Sequence, residues 1–259
     1  MSNLVEFKNS NISINGNEII NDFSFALKTH TSIIGKGASG KTIILKSLAG
    51  LSDVTNLTTL NIDSNHKKYL HDTIAVVFDN TKFICDNVYS ELAFPLEYMN
   101  VEKQIIKNKI DIISEIFDLK EILKTDLTFL NKEQQTLIKI LECLIWNPKV
   151  IAIDDLFIYL SNNIKNKLLR YMNDNEITLL LVTSDIEDTM YTNYIYIIHD
   201  KKVIAEGDKV SIYSSCEKLL HRIGYGLPFL PDLSIQLGLY GLLDKVYLSN
   251  QELAGDLWK

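Results

Sequence analysis

The stretch TSIIGKGASGKTIILKSLAG, residues 31–50, decides how the rest of the chain is read. Its centre is Gly35, Lys36, Gly37, Ala38, Ser39, Gly40, Lys41 and Thr42. It matches G-x-x-x-x-G-K-[ST], a loop whose backbone N–H groups cradle phosphates. Ser32, Ile33 and Ile34 read as the end of a buried strand. Ile43, Ile44, Leu45, Leu48 and Ala49 recur at helical spacing, and Gly50 is placed to stop that helix. Strand, loop and helix together aim N–H groups and the positive end of a helix at one point. Lys41 is expected to reach the β- and γ-phosphates and Thr42 to offer its hydroxyl to Mg²⁺. The loop through Ile43 is the expected nucleotide-binding set.

Composition narrows the class. A chain of 259 residues that is 46% hydrophobic can bury the core of one large α/β domain, with an appendage. Net charge is −7 and the pI about 5.3, so no basic field favours a nucleic-acid partner. Arg170 and Arg222 are the only arginines, so phosphate clamps built from arginine are scarce. Cys85, Cys143 and Cys216 are odd in number and scattered, which points to a reducing cytoplasm rather than a disulfide framework or a zinc site. The opening MSNLVEFKNS lacks the apolar core of a signal peptide, and no apolar run is long enough to span a membrane. Membrane association is therefore expected only through a partner.

Outward from the loop, residues 3–8 and 19–27 alternate and read as antiparallel strands around an Asn15-Gly16 turn. TTLNID, residues 58–63, is a further alternating strand, and IAVVF, 74–78, a strand covered on both faces. Residues 86–147 follow helical spacing and read as a helical insertion. After it come a buried strand at 150–153, a helix at 162–172 and a strand at 177–183. A hairpin over Asp200-Lys201 and a helix at 210–223 follow. The tail, 224–259, is apolar and punctuated by Gly and Pro, and ends in a short helix with Ser249 and Glu252 as a capping box. An apolar segment of this kind after a complete domain is expected to cover a subunit interface. The five histidines show no metal spacing and are expected at the surface.

A phosphate loop needs a metal-holding carboxylate at the end of a neighbouring apolar strand. VIAIDD supplies it, with Asp154 as the Mg²⁺-side acid and Asp155 beside it.

This order of elements resembles ABC-type ATPases. It is most similar to the ATP-binding subunits of energy-coupling factor (ECF) transporters, which import vitamins and transition-metal ions. The likeness runs through IAVVFDN, SELAFPLEYMN and LVTSDIEDTMYTNYIYIIHDKKVIAEGD, and through GYGLPFLPDLSIQLGLYG and LSNQELAGDLW in the tail. It implies an α/β fold: a P-loop, RecA-like core with an antiparallel β subdomain, a helical insertion and a small C-terminal extension. The nucleotide-binding domain would be residues 1–223 and the extension 224–259. It also implies ATP and Mg²⁺ as ligands and a second ABC ATPase chain as partner. A transmembrane coupling subunit and a substrate-binding membrane subunit would complete an assembly on the cytoplasmic face of the membrane. The surface of residues 88–98 would face the coupling subunit.

Position by position, the resemblance is uneven. Ala38 stands where these ATPases usually have Gly, and Asp155 where they have a catalytic Glu. The shorter carboxylate is retracted by one methylene, and a misplacement of about 1 Å can cost roughly 10²-fold in rate. Asp79 stands in place of the loop Gln that joins the metal, and Ser184 in place of the switch His at the γ-phosphate. LNKEQ replaces the LSGGQ signature that completes the partner's site, so Asn131, Lys132, Glu133 and Gln134 are its expected residues. Lys132 and Glu133 displace two glycines, which hinders close backbone approach to a phosphate. Ser161 replaces an Asp, and Ile14 lies near where an adenine-stacking aromatic is usual. The profile is one of retained MgATP binding with weakened hydrolysis. A nucleotide-responsive pseudo-ATPase that only assembles a complex is the alternative. A GTPase is a weaker reading, because the only N-K-x-D match, NKID at 108–111, lies inside the helical insertion. A small-molecule kinase usually needs lid arginines, and this chain has none before Arg170.

Overall fold

The computed structural model describes residues 4–59, 62–63 and 73–257. Strand β1 (Val5–Ile14) and β2 (Asn17–Leu27) pair antiparallel around Asn15 and Gly16, with φ of 51° and 78°. Two successive positive φ values give the primed turn whose twist suits a two-residue hairpin. β1 also pairs with β4 (Asp53–Val54) and with β5 (Leu57–Thr59), which pairs in turn with β6 (Ile62–Asp63).

The single strand expected at 58–63 is therefore two, with Thr58 opposite Asp63 and Thr59 opposite Ile62 in antiparallel register; residues 60–61 lie outside the described residues. Alternation of apolar and polar residues does not record a reversal of direction.

The second sheet runs β11-β10-β3-β9-β8-β7. Its strands are β3 (Thr31–Ile34), β7 (Ile74–Val77), β8 (Val150–Asp154), β9 (Thr178–Thr183), β10 (Tyr194–His199) and β11 (Lys202–Asp208). All pairings are parallel except β10 with β11. Period-two geometry sends alternate side chains to opposite faces. Val150, Ala152, Leu180 and Val182 meet α1 (Lys41–Leu48) and the antiparallel sheet, while Ile151, Ile153, Leu179 and Leu181 meet the helices on the other side. A strand buried on both faces has to be apolar throughout, as β8 and β9 nearly are. β3, at the centre, delivers its C-terminal end to the phosphate loop.

The helical side is α2 (Val88–Tyr98), α3 (Lys103–Ile116) and α4 (Lys132–Leu144), with α5 (Asn162–Asp174) after β8. Asn87 caps α2 by accepting from the Ser90 N–H at 3.0 Å. Glu91 on α2 is buried and accepts hydrogen bonds from the Ile84 and Cys85 N–H groups. Its neighbour on α4, Glu142, is pushed up from 4.5 to about 7, first by burial and then by the Glu91 carboxylate, against the pull of Lys139. A carboxyl whose folded pKa is raised binds more protons folded than unfolded. Stability present at low pH is then lost as the pH climbs from 4.5 through about 7. Glu142→Gln is accordingly expected to exceed the parent in stability by about 1–3 kcal/mol near pH 8, with little difference near pH 4. Urea denaturation at the two pH values measures it, and a constant difference at both would refute the assignment.

The helix expected at 210–223 is broken. α6 (Lys209–Ser215) ends and α7 (Glu217–Arg222) begins at Cys216, and the bend lets Tyr213 and Leu220 enter the same buried cluster. α8 (Phe229–Leu239) and α9 (Asn250–Leu257) follow. Of the expected capping box, the structure has the half in which Ser249 Oγ accepts from the Glu252 N–H, at 3.3 Å. Tyr225, Leu227, Val246 and Leu248 pack onto the β10 side of the core, whereas Leu243, Tyr247 and Leu253 form a small cluster with Leu233 and Leu237. Phe229, Leu239, Tyr240 and Leu242 lie exposed. No described helix is long and apolar enough to cross a membrane.

His30 departs from the expected surface role. Its half-buried ring accepts from the Leu179 N–H and meets Asn173 Oδ1, each at 3.0 Å, joining β9 to α5. His66 and His71 lie outside the described residues.

Candidate nucleotide site

The loop leaves β3 through Gly35, where a Cβ would stand 2.5 Å from the Ile198 carbonyl oxygen and 2.6 Å from Ser39 Oγ. Only glycine fits there. Gly40, with φ of 101°, sets the entry to α1. Ala38 takes a φ of 63°, a left-handed conformation that costs an L-residue about 1–2 kcal/mol. Glycine at that position would relieve the strain, which gives a conformational reason for its usual presence. The helix closes with Gly50 at φ 69°, the Leu51 N–H on the Lys46 carbonyl at 2.8 Å and the Gly50 N–H on that of Ser47 at 3.2 Å. This is the expected glycine stop in Schellman form.

Lys41, at the first helical position, is buried and turns its ammonium onto the loop's own carbonyls, those of Gly35 and, at 3.3 Å, Lys36. Burial pulls its pKa below the usual range, while Asp155 and Asp154 push it back up. At the end of β8, Asp154 is 8% exposed. Burial raises its carboxyl pKa and a hydrogen bond with the Thr42 hydroxyl lowers it. Its Oδ1 has no hydrogen-bond partner, and neither has Ser39 Oγ. An orphaned carboxylate oxygen beside a hydroxyl is the donor set that a hard divalent cation requires, so Thr42 and Asp154 fit Mg²⁺.

Asp155 takes a φ of 52°, and its N–H bonds the Val182 carbonyl at 2.8 Å. Both its carboxylate oxygens are engaged: Oδ1 accepts from the Ser184 N–H at 2.6 Å and Oδ2 from the Ser184 hydroxyl at 2.9 Å. The two expected catalytic residues thus meet, each using the other.

The remaining expected site residues are organised elsewhere. Asp79 pairs with Lys132 at 2.8 Å, and its carbonyl accepts from Lys139 at 2.6 Å. Lys132 also lies 4.2 Å from the Tyr159 ring centroid. Asn131 and Gln134 form a reciprocal capping box at the start of α4, at 2.9 and 3.1 Å. Glu133 accepts from the Ser161 N–H at 2.6 Å. Each residue of the altered signature therefore has a partner within its own chain.

One site residue was not anticipated. Tyr225, from the tail, presents its ring to Lys36 of the phosphate loop. The GYG at 224–226 is the only local signal, and it identifies a turn rather than a destination.

Contrary to expectation, the strand that ends in Asp154 is not the loop's immediate neighbour: β9 lies between β3 and β8. A largely parallel sheet carrying a phosphate loop after β3, with a metal-type carboxylate two strands away at the end of β8, defines a P-loop nucleotide-binding protein. The chain belongs to the ABC transporter family, whose sequence profile matches residues 20–157, just over half its length. Among relatives, the energy-coupling factor transporter ATP-binding protein EcfA1 of Staphylococcus epidermidis is 25% identical over 264 aligned positions, covering 96% of each chain. EcfA1 of Ureaplasma parvum is 28% identical over 262 positions, covering 97% of this chain and 85% of its own. Two solved structures share the fold. The first is cbiO1 from Clostridium perfringens, described as part of the ABC transporter complex cbiONQ; its TM-score is 0.72 at 20% identity, over 86% of this chain and 98% of its own. The second is the ATP-binding cassette MJ0796, in a dimeric post-hydrolysis state bound to ADP and Pi; its TM-score is 0.68 at 21% identity, over 79% and 98%.

Proposed function

We propose that this chain is the ATP-binding subunit of an ECF-type importer, coupling ATP binding and hydrolysis to uptake of a vitamin or metal ion, with weakened turnover at its own site. The observation that carries the reading is a contrast within one pocket. The groups that grip phosphate and metal, Lys41, Thr42 and Asp154, are complete, whereas Asp155 has both oxygens tied to Ser184. Thr42 and Asp154 would hold Mg²⁺, which when bound would supply positive charge to offset that of the phosphates. Lys41 exchanges its loop carbonyls for the β- and γ-phosphates. To polarise an attacking water, Asp155 has to release Ser184 and reach further than a Glu would. Relatives named as ECF ATP-binding proteins along nearly the whole chain support the transport role.

A second reading, a pseudo-ATPase that assembles without turnover, is favoured by one feature. The Lys132–Asp79 pair and the Asn131 capping box occupy, within this chain, the signature that would complete a partner's site.

In this proposal, residues 1–223 form the nucleotide-binding domain. Residues 224–259 form the extension, whose exposed Phe229, Leu239, Tyr240 and Leu242 meet a second ABC ATPase chain. Asp79 joins the metal side once Lys132 is drawn away. The assembly sits peripherally on the cytoplasmic face of the membrane. Isolation from detergent-solubilised native membranes is expected to yield the chain with a second ABC ATPase and membrane subunits, identified by mass spectrometry. Recovery as a free monomer without them would refute the transport role.

A further inference from the structure

Lys36 is exposed in the phosphate loop, yet its ammonium lies 4.3 Å from the centroid of the Tyr225 ring. The backbone makes room for this contact. Gly224 has a φ of 82°, and a Cβ there would stand 3.1 Å from Lys36 Cε and 3.6 Å from its Nζ. Tyr225 is only 5% exposed and packs in the cluster of Ile34, Ile195 and Ile197. Its hydroxyl lies beside the Gly35 backbone, in the field of Asp155 and Asp185, with no completed hydrogen bond. Burial, chiefly, pushes the phenol up to about 12, so it remains a neutral O–H donor. A cation and a buried, unpartnered hydroxyl therefore converge beside Lys41 and Asp155. Ser184, whose hydroxyl donates to Asp155, brings no cation to this place.

The energies favour exchange. A cation–π contact made by an exposed ammonium is weaker than a charge-assisted hydrogen bond from that ammonium to a phosphate oxygen. Resting on the ATP-site reading above, we propose that Lys36 is a γ-phosphate ligand held in reserve on Tyr225, and that this pair distinguishes nucleoside triphosphate from diphosphate. With a triphosphate bound, the ammonium leaves the ring for the terminal phosphate. With a diphosphate it stays.

The test is the affinity of the purified chain for MgATP and for MgADP, by calorimetry, in the parent and in Lys36→Met, Lys36→Gln and Tyr225→Leu. Both Lys36 variants are expected to weaken MgATP about tenfold and to leave MgADP within about twofold. The retained MgADP affinity also reports that the fold is intact. Tyr225→Leu, which removes the competing ring but keeps a buried apolar side chain, is expected to tighten MgATP about two- to fivefold without altering MgADP. Equal loss of both nucleotides in the Lys36 variants, or no loss of either, overturns the proposal while leaving the ATP site standing. A parent chain that binds neither nucleotide overturns both.

Discussion

Lys41→Ala is expected to abolish MgATP binding, with a loss of at least about 100-fold in affinity. In the free chain the ammonium is stored on the Gly35 and Lys36 carbonyls and kept out of water. A carbonyl is a weaker partner than a charged phosphate oxygen, so binding nucleotide exchanges a neutral acceptor for an anionic one in a buried setting. The loop's second cation, Lys36, is exposed and rests on Tyr225, so it does not replace the buried Lys41 ammonium. The variant should still fold, because α1 retains its Gly40 entry and its Gly50 stop. Calorimetric titration together with a thermal melt separates the two effects. Tight MgATP binding by a folded Lys41→Ala chain would remove the phosphate loop from the nucleotide site.

The second large effect concerns turnover. Asp155→Glu combined with Ser184→His is expected to raise single-turnover hydrolysis at this site about 10²-fold, equivalent to about 2.7 kcal/mol of barrier. Ser184 holds both Asp155 oxygens, so the carboxylate is positioned by its neighbour. The longer Glu extends past that contact, and the imidazole supplies the γ-phosphate group that a hydroxyl does not. Residue 184 is exposed, so a larger side chain there need not enter the core. The folding cost is modest: residue 155 sits at φ 52°, which Asp tolerates better than Glu. The measurement requires the assembled complex, with the partner's own catalytic carboxylate removed. An unchanged rate in a double variant that still binds MgATP would show that turnover is limited elsewhere, and the self-satisfied signature around Lys132 would then be the place to look.

How much of this was legible in the sequence differs from element to element. The loop, its strand and its helix were readable together because each follows from local rules: an apolar run, a glycine-dependent turn and a 3.6-residue period ended by Gly50. The place of Asp154 at the end of β8 was readable because an apolar strand ending in a carboxylate is a local pattern too. The reversal inside 58–63 and the break at Cys216 were not, because periodicity says which face a residue takes and not where the chain changes direction. Asp79 and Lys132 each drew attention as substitutions in a family pattern. Their pairing, 53 residues apart, had no local signal.

The sequence by itself determined the phosphate loop with its strand and helix, the main apolar strands and the carboxylate that ends β8, because backbone geometry and burial act over a few residues at a time. Only the tertiary structure decided how the chemistry is shared. Asp155 meets Ser184 from 29 positions away, Lys132 holds Asp79, and Tyr225 of the tail reaches back to Lys36. These contacts arise where strand ends and loops converge at one edge of a parallel sheet. That proximity is created by packing between distant segments, and no local periodicity encodes it.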